Sequence, residues 1–318
     1  MRDLTQGSPA KQILFFTIPL VIGNLFQQLY NFSDTVIVGQ TLGVKSLAAV
    51  GATGSIMFLI LGFVQGFTAG LSIITAQRYG ARDIAGVRKS MASTLIVSAL
   101  ITVIVTILSL LAVYPLLKIM QTPAEIFNQA FIFIAIILGG IFATMGYNVT
   151  ANSLRAIGDS RSPLVYLIVG MIINIILELW FIIGLNYGVA GAALATVIAQ
   201  LVSTILSFWH IYRFSPLLQV HRSDFKWDPV DIRIHLRAGL PMGFQSSIIA
   251  IGALVLQGAL NTLGTDAVAA TTAAQRIDQV ATLPLMSFGI TMATFAAQNY
   301  GAKQYERILI GVKQALFM

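Results

Sequence analysis

The chain has no cysteine, which excludes disulfides, thiolate metal sites and a thiol nucleophile. Charge is scarce as well. Acidic and basic residues make up 10% of the sequence against 57% apolar residues, and a soluble domain of that composition would be unable to cover its own surface. The three histidines, His210, His221 and His235, lie at or beyond the ends of the apolar runs, and there is no H-E-x-x-H motif, so no zinc enzyme of that type is built into the membrane. Nor is there a G-x-x-x-x-G-K-[ST] loop, which excludes an ATP-driven pump within this chain. No stretch resembles a channel selectivity filter. These absences argue against an enzyme and leave a membrane protein moved by something other than its own nucleotide chemistry.

What is present is hydrocarbon-length helix. Apolar stretches able to cross about 30 Å of lipid run at 12–38, 46–74, 91–113, 127–151, 163–184, 189–212, 239–260 and 267–297, with the start of a ninth at 305–318. The expected fold is an all-α polytopic membrane protein. Residues 42–83 return, shifted by 221 positions, as 263–304, with twelve of 42 aligned positions identical, including AQRYGA at 76–81 and AQNYGA at 297–302. Pro19 and Pro241, in TIPL and GLPM, open the two copies. An internal duplication of hydrophobic helices marks a secondary transporter, whose site lies between two lobes. A second copy as long as the first would end near residue 442, so the C-terminal lobe is expected to continue for about 120 residues beyond 318.

Basic residues set the orientation, because Lys and Arg collect in cytoplasmic loops. With the N-terminus inside, 16 of the 19 fall in the N-terminal segment and at 75–90, 152–162, 213–238 and 298–313; Lys45 and Lys118 fall outside and Arg276 lies within a span. The expected location is the cytoplasmic (inner) membrane, multi-pass. Six crossings separate the two AQ-YGA loops, which puts them on one face and makes the repeat parallel. The organisation is therefore an N-lobe of six helices at 1–213, an inter-lobe loop at 214–238 and part of a C-lobe at 239–318. The net charge of +7 is scattered over short loops, which speaks against a nucleic-acid partner; the expected partners are the lipid bilayer and small amphipathic substrates, with the protein a monomer.

A charge at the bilayer centre costs at least about 2.5 to 3.5 kcal/mol and persists where function or pairing offsets it. Of twelve acids, Asp34, Glu178 and Asp278 fall inside spans. Gln27, Tyr30, Asn31 and Asp34 step by three or four residues and share one helix face. Asn174 and Glu178 are likewise one turn apart, and offer hard oxygen ligands to a small cation. If Asp34 approaches Glu178, repulsion and desolvation both favour proton uptake near neutral pH. The coupling ion is H+ or Na+, with no other cofactor. Each acid also has a plainer reading: Asp34 as an interfacial residue near the outer helix end, Glu178 as a carboxyl satisfied by a neighbouring helix. Arg276 and Asp278, in QRIDQ, are two apart and do not face each other; they read as contacts holding helices in register or as lining of a substrate cavity. Pro19 lacks an N–H and favours a kink, leaving a hinge and a fixed bend both open. Gly51, Gly54, Gly62, Gly66 and Gly70 fall largely four apart and suit close helix packing.

The runs QQLYNFSDTVIVGQTLG (27–43), AQRYGARD (76–83), LRAIGDSRSP (154–163), NIILELWFI (174–182) and GVAGAALATVIAQ (188–200) together resemble the MATE family of multidrug and toxic compound extrusion transporters along the whole chain. The resemblance implies twelve helices in two six-helix lobes, here a complete N-lobe and about two and a half helices of the C-lobe. It also implies antiport of amphipathic, often cationic compounds against H+ or Na+. Carried over residue by residue, it places the cation or proton site at Asp34, Asn174, Glu178 and Thr196, with Na+ a possible ligand there, and the hinge at Pro19. Glu178 stands where the family usually has aspartate and Leu179 where proline often follows, which leaves H+ against Na+ open. A family branch that uses a carboxylate in the seventh helix is not matched, since 239–260 contains none. The rival reading is a flippase for lipid-linked glycans. It favours a strongly basic cavity, whereas Arg276 reads as the one basic residue well inside a span.

Overall fold

The computed structural model describes residues 3–261 and 265–318, and among the described residues every regular element is helical. Helix α1 is assigned over Pro9–Gly80, 72 residues. At 1.5 Å per residue that is about 108 Å, more than three hydrocarbon thicknesses, so it must fold back. It does so at Gly43, whose φ of 81° and ψ of 178° are open to glycine and closed to other residues. The arms 9–42 and 44–80 are the first two crossings. Helix α2 covers Ile84–Ile119; the Asp83 carboxylate caps it by accepting from the Gly86 N–H at 2.8 Å. Helices α3, Ala124–Gly139, and α4, Ile141–Ala156, are one crossing bent by 45° at Gly140. Helix α5, Arg161–Leu179, runs into a π turn at Trp180–Gly184, and α6 covers Val189–Phe214. Helices α7, Pro229–Asn261, α8, Thr265–Gly301, and α9, Tyr305–Leu316, complete the chain. The spans expected from hydropathy match these elements, with α9 opening the ninth.

The exterior is apolar, with Leu25, Phe32, Leu100, Leu111, Ile176 and Ile205 all exposed, as a lipid-facing surface requires. Packing between helices depends on small residues instead. Gly66 and Gly70 bring the second arm of α1 against α7, where a Cβ would fall 2.3 Å from the Met242 carbonyl oxygen and 2.5 Å from that of Ala238. For Gly51 and Gly54 nothing among the described residues lies within 4 Å of an added Cβ.

The duplication is a structural one. Arg82 and Lys303, equivalent under the 221-residue shift, both have φ of 58°. The bonds Ala81 N–H to Gln77 O, Arg82 N–H to Tyr79 O and Asp83 N–H to Arg78 O recur as Ala302 to Gln298, Lys303 to Tyr300 and Gln304 to Asn299. The two turns abut reciprocally: a Cβ on Gly80 would lie 1.8 Å from the Gln298 carbonyl oxygen, and one on Gly301 1.8 Å from that of Gln77. Such an exchange of equivalent contacts is the signature of a local two-fold axis, and it places both turns at one end of the bundle, the end rich in Lys and Arg.

That basic end is tied further. Gln298 donates from Nε2 to the Ala156 carbonyl at 2.7 Å and accepts from the Leu4 N–H at 3.1 Å, while Arg307 donates to the carbonyls of Gln6 and Gly7 at 3.0 and 2.6 Å. The 214–238 segment, expected as a loop, is partly ordered helix. It contains two short 3-10 turns, and α7 begins at Pro229, because residues 229–238 have a surface to pack on. Asp231 pairs with Arg78 and accepts from Ser93 Oγ at 2.5 Å. His235, fully buried, bonds the Asp231 carbonyl through Nδ1 and Ser90 Oγ through Nε2, each at 2.8 Å. Burial works to raise the Asp231 carboxyl, but the Arg78 and Ser93 hydrogen bonds and the Arg78 charge outweigh it and hold the group below the usual carboxylate range. Burial, aided by the Arg78 charge, holds His235 below the ordinary histidine range.

Candidate functional site

Asp34 reaches the interior from the first arm of α1, and Asn174 and Glu178 from adjacent turns of α5. Asn174 and Glu178 are both completely buried. Asn174 donates from Nδ2 to Thr196 Oγ1 at 3.3 Å, and Thr196 donates to the Ala192 carbonyl at 3.1 Å, its preceding turn on α6. The carboxyl groups of Asp34 and Glu178 face one another closely enough to interact directly. The Tyr30 phenol lies beside Thr196, Asp34 and Glu178. The sequence-expected set Asp34, Asn174, Glu178 and Thr196 is thus brought into one cluster, with Tyr30 added to it. Among the described residues Asp34 Oδ1, both Glu178 oxygens and Asn174 Oδ1 are enclosed and find no hydrogen-bond donor, while the Tyr30 hydroxyl lies within reach of Thr196. Buried polar atoms are ordinarily paired. Two facing carboxylates have no proton between them when both are ionised, so a proton or a cation is what would join them. The oxygens suit a small hard cation; among the described residues no group of three or more His, Cys, Asp and Glu side chains is arranged to hold a metal, so such a cation would rely on Asn174 and the hydroxyls as well.

The remaining expected residues divide. Gln27 lines a cavity of about 230 Å³ with Pro19, Asn24, Gln65, Asn148 and Asn152 among its walls. Pro19 is buried in a helix whose one internal non-helical residue is Gly43. Gln27 and Tyr30 also line a narrow space of about 10 Å³ beside Gly170 and Gln200, and Gln27, Tyr147 and Leu167 line both spaces. Asn31, on the same sequence stripe, is exposed. Asp278 is exposed too, and the side chain of Arg276 lies outside the described residues.

One residue was missed. Arg155 was counted with the basic loops, but α4 continues through it to Ala156, and Gly158, with φ of 87°, makes the turn. Its guanidinium lies in the wall of the 230 Å³ cavity and of an adjoining one of about 140 Å³. Asp159 caps α5, accepting from the Arg161 and Ser162 N–H groups at 3.0 Å each. The signal available in the sequence was the LRAIGD run itself, where glycine after Ile157 sets the end of the helix and leaves Arg155 in its last turn. Arg155 thus adds a basic group to the cavity wall.

The comparisons with known proteins agree with this architecture. The MatE family profile matches residues 19–180 and 241–318. The chain is 28% identical over 307 residues to the probable multidrug resistance protein YpnP of Bacillus subtilis, covering 96% of this chain and 68% of that protein. It is 25% identical over 315 residues to a FAD transporter of Shewanella oneidensis, covering 96% and 68%. Among solved structures, a MOP superfamily transporter from Pyrococcus furiosus superimposes with a TM-score of 0.92 at 29% identity, over 99% of this chain and 70% of that one. The chain therefore spans about two thirds of the length of the relatives it matches. A duplicated helical bundle, a buried carboxylate pair in its first lobe and a family profile across most of its length lead to one conclusion: this chain belongs to the MATE family of multi-pass membrane transporters, which are not enzymes.

Proposed function

We propose that the protein is a secondary antiporter that expels amphipathic compounds in exchange for H+ or Na+, with Asp34 and Glu178 as the coupling pair. The observation that carries this reading is the set of enclosed oxygens on Asp34, Glu178 and Asn174 that find no donor among the described residues, gathered in one cluster. With both carboxyls ionised the cluster is repulsive and desolvated; a proton or Na+ from outside relieves both. Because Tyr30 lies beside the cluster and Gln27, on the preceding turn of the same arm of α1, lines the cavity, a change in that arm on ion entry reaches the cavity wall. Alternating access follows if the ion stabilises one bend of that arm and substrate the other. In this reading the basic end is cytoplasmic in the inner membrane, and Pro19 carries the bend. The family names support efflux, and multidrug resistance protein and FAD transporter are among the names of the relatives.

The test is transport of a fluorescent cation such as ethidium by the full-length protein in vesicles with an imposed pH or Na+ gradient. Asp34→Asn should insert normally and abolish gradient-driven efflux. Undiminished efflux by that variant would reject the coupling assignment.

A further inference from the structure

Arg155 is a permanent cation in the wall of two adjoining cavities, which share Ala69, Asn152, Arg155 and Ile290. Its Nη1 donates to Asn152 Oδ1 at 3.0 Å, and its Nε is enclosed with no hydrogen-bond partner. No carboxylate among the described residues neutralises it. The nearest in sequence, Asp159, is occupied by the start of α5, by Ser162 Oγ at 2.6 Å and by His210 Nε2 at 3.7 Å. Neither cavity has an acidic residue in its wall among the described residues. Several wall donors are already committed: Asn152 Nδ2 to Thr68 Oγ1, Asn24 Nδ2 to Ser287 Oγ and Tyr147 OH to the Pro163 carbonyl. The Gln27 and Gln65 amides have no such partner among the described residues and line the same cavity as Arg155. The same cavity is also lined by Leu20, Leu164, Leu167 and Ile290.

A half-buried guanidinium whose Nε is enclosed without a partner, and which has no counter-ion among the described residues, is costly unless something supplies the negative charge. A planar fork of donors matches the two oxygens of a carboxylate or a phosphate. We propose that Arg155 anchors a subsite for the oxyanion of an amphipathic anion. The carboxylate or phosphate head is held by Arg155 with the Gln27 and Gln65 amides, and the apolar body lies on Leu20, Leu164, Leu167 and Ile290. The inference rests on the reading of this space as a substrate cavity. It extends that reading from cationic compounds to anionic ones; neither Asp34 nor Glu178 lines this cavity. The head group can come from a bilayer phospholipid or from a soluble compound.

The experiment is calorimetric binding to the full-length protein in phosphatidylcholine nanodiscs, comparing 1-naphthaleneacetate with 1-naphthylmethylammonium, two probes with the same aromatic body and opposite charge. No ion gradient is present, so a failure of ion coupling leaves this readout unaffected, and a failure here leaves coupled efflux standing. The acid should bind more tightly by about tenfold or more, the worth of a charge-assisted hydrogen bond. Arg155→Gln should abolish that preference and Arg155→Lys should keep part of it. Equal or tighter binding of the amine by the unaltered protein, or a full anion preference in Arg155→Gln, overturns the proposal. If phosphatidylglycerol in the disc competes with the acid, a lipid head group is the occupant; if it does not, a soluble amphipathic anion is. Either outcome of that arm upholds the oxyanion subsite.

Discussion

The reciprocal contact of Gly80 and Gly301 makes a quantitative claim about how the basic end stays closed. An alanine methyl at Gly80 would sit 1.8 Å from the Gln298 backbone oxygen, and one at Gly301 1.8 Å from that of Gln77. A carbon and an oxygen sit roughly 3.3 to 3.6 Å apart in a close contact, so the two turns must part by about 1.5 to 1.8 Å. No side-chain rotation relieves this, because the obstacle is backbone. Overpacking of this kind costs about 1 to 3 kcal/mol. If the state with separated turns lacks the clash, the equilibrium between the two shifts by about 5- to 150-fold toward separation. The chain has no cysteine, so cysteines placed at the exposed positions Arg82 and Lys303 can be spin-labelled without a background. Gly80→Ala and Gly301→Ala should each lengthen the dominant distance between these labels measured by electron-electron resonance, with an effect that is less than additive in the double variant because one interface is broken. An unchanged distance distribution in well-folded single variants would show that the turns do not govern closure.

Two further predictions concern the same end. Asp231→Asn leaves Arg78 without its partner in a site where Asp231 is 2% exposed, and removing one member of a buried pair costs about 3 to 5 kcal/mol; the variant should unfold at clearly lower denaturant concentration in detergent, and an unaltered midpoint would contradict the pairing. Stability should also fall in two steps on acidification. Because His235 is held below its ordinary range, the unfolded chain takes up the proton first, and stability is lost as pH drops into the usual histidine range. Because Asp231 is also held low, its contribution is present above the usual carboxylate range and is lost as pH falls through its lowered value. A pH series of unfolding midpoints checks both, and His235→Leu should remove the first step alone.

Much of this protein is legible along the chain because the deciding physics is local. Hydrocarbon-length runs locate the crossings, and the energetic penalty on intramembrane charge singles out Asp34 and Glu178 before any coordinates. The i, i+4 spacing of Asn174 and Glu178 puts both in the same buried place. The same reasoning failed where facing and neighbours decide. Asn31 shares a stripe with Asp34 but is exposed, because a helix face is wide and the packing of α5 and α6 covers one side of it. Arg155 looked like one more positive charge in a loop, because its inward position depends on where α4 ends and on which helices surround it.

The sequence alone determined that the chain crosses a membrane repeatedly, that its helices are duplicated in parallel and that two acids sit at depth, since hydropathy, spacing and self-similarity are properties of one strand of residues. Only the tertiary structure decided that Gly80 and Gly301 interlock, that α7 begins ten residues inside the expected loop, and that an arginine with no carboxylate partner among the described residues lines the cavity. Those facts arise from backbones meeting at van der Waals distance and from which polar atoms find partners, and neither is written in the order of residues.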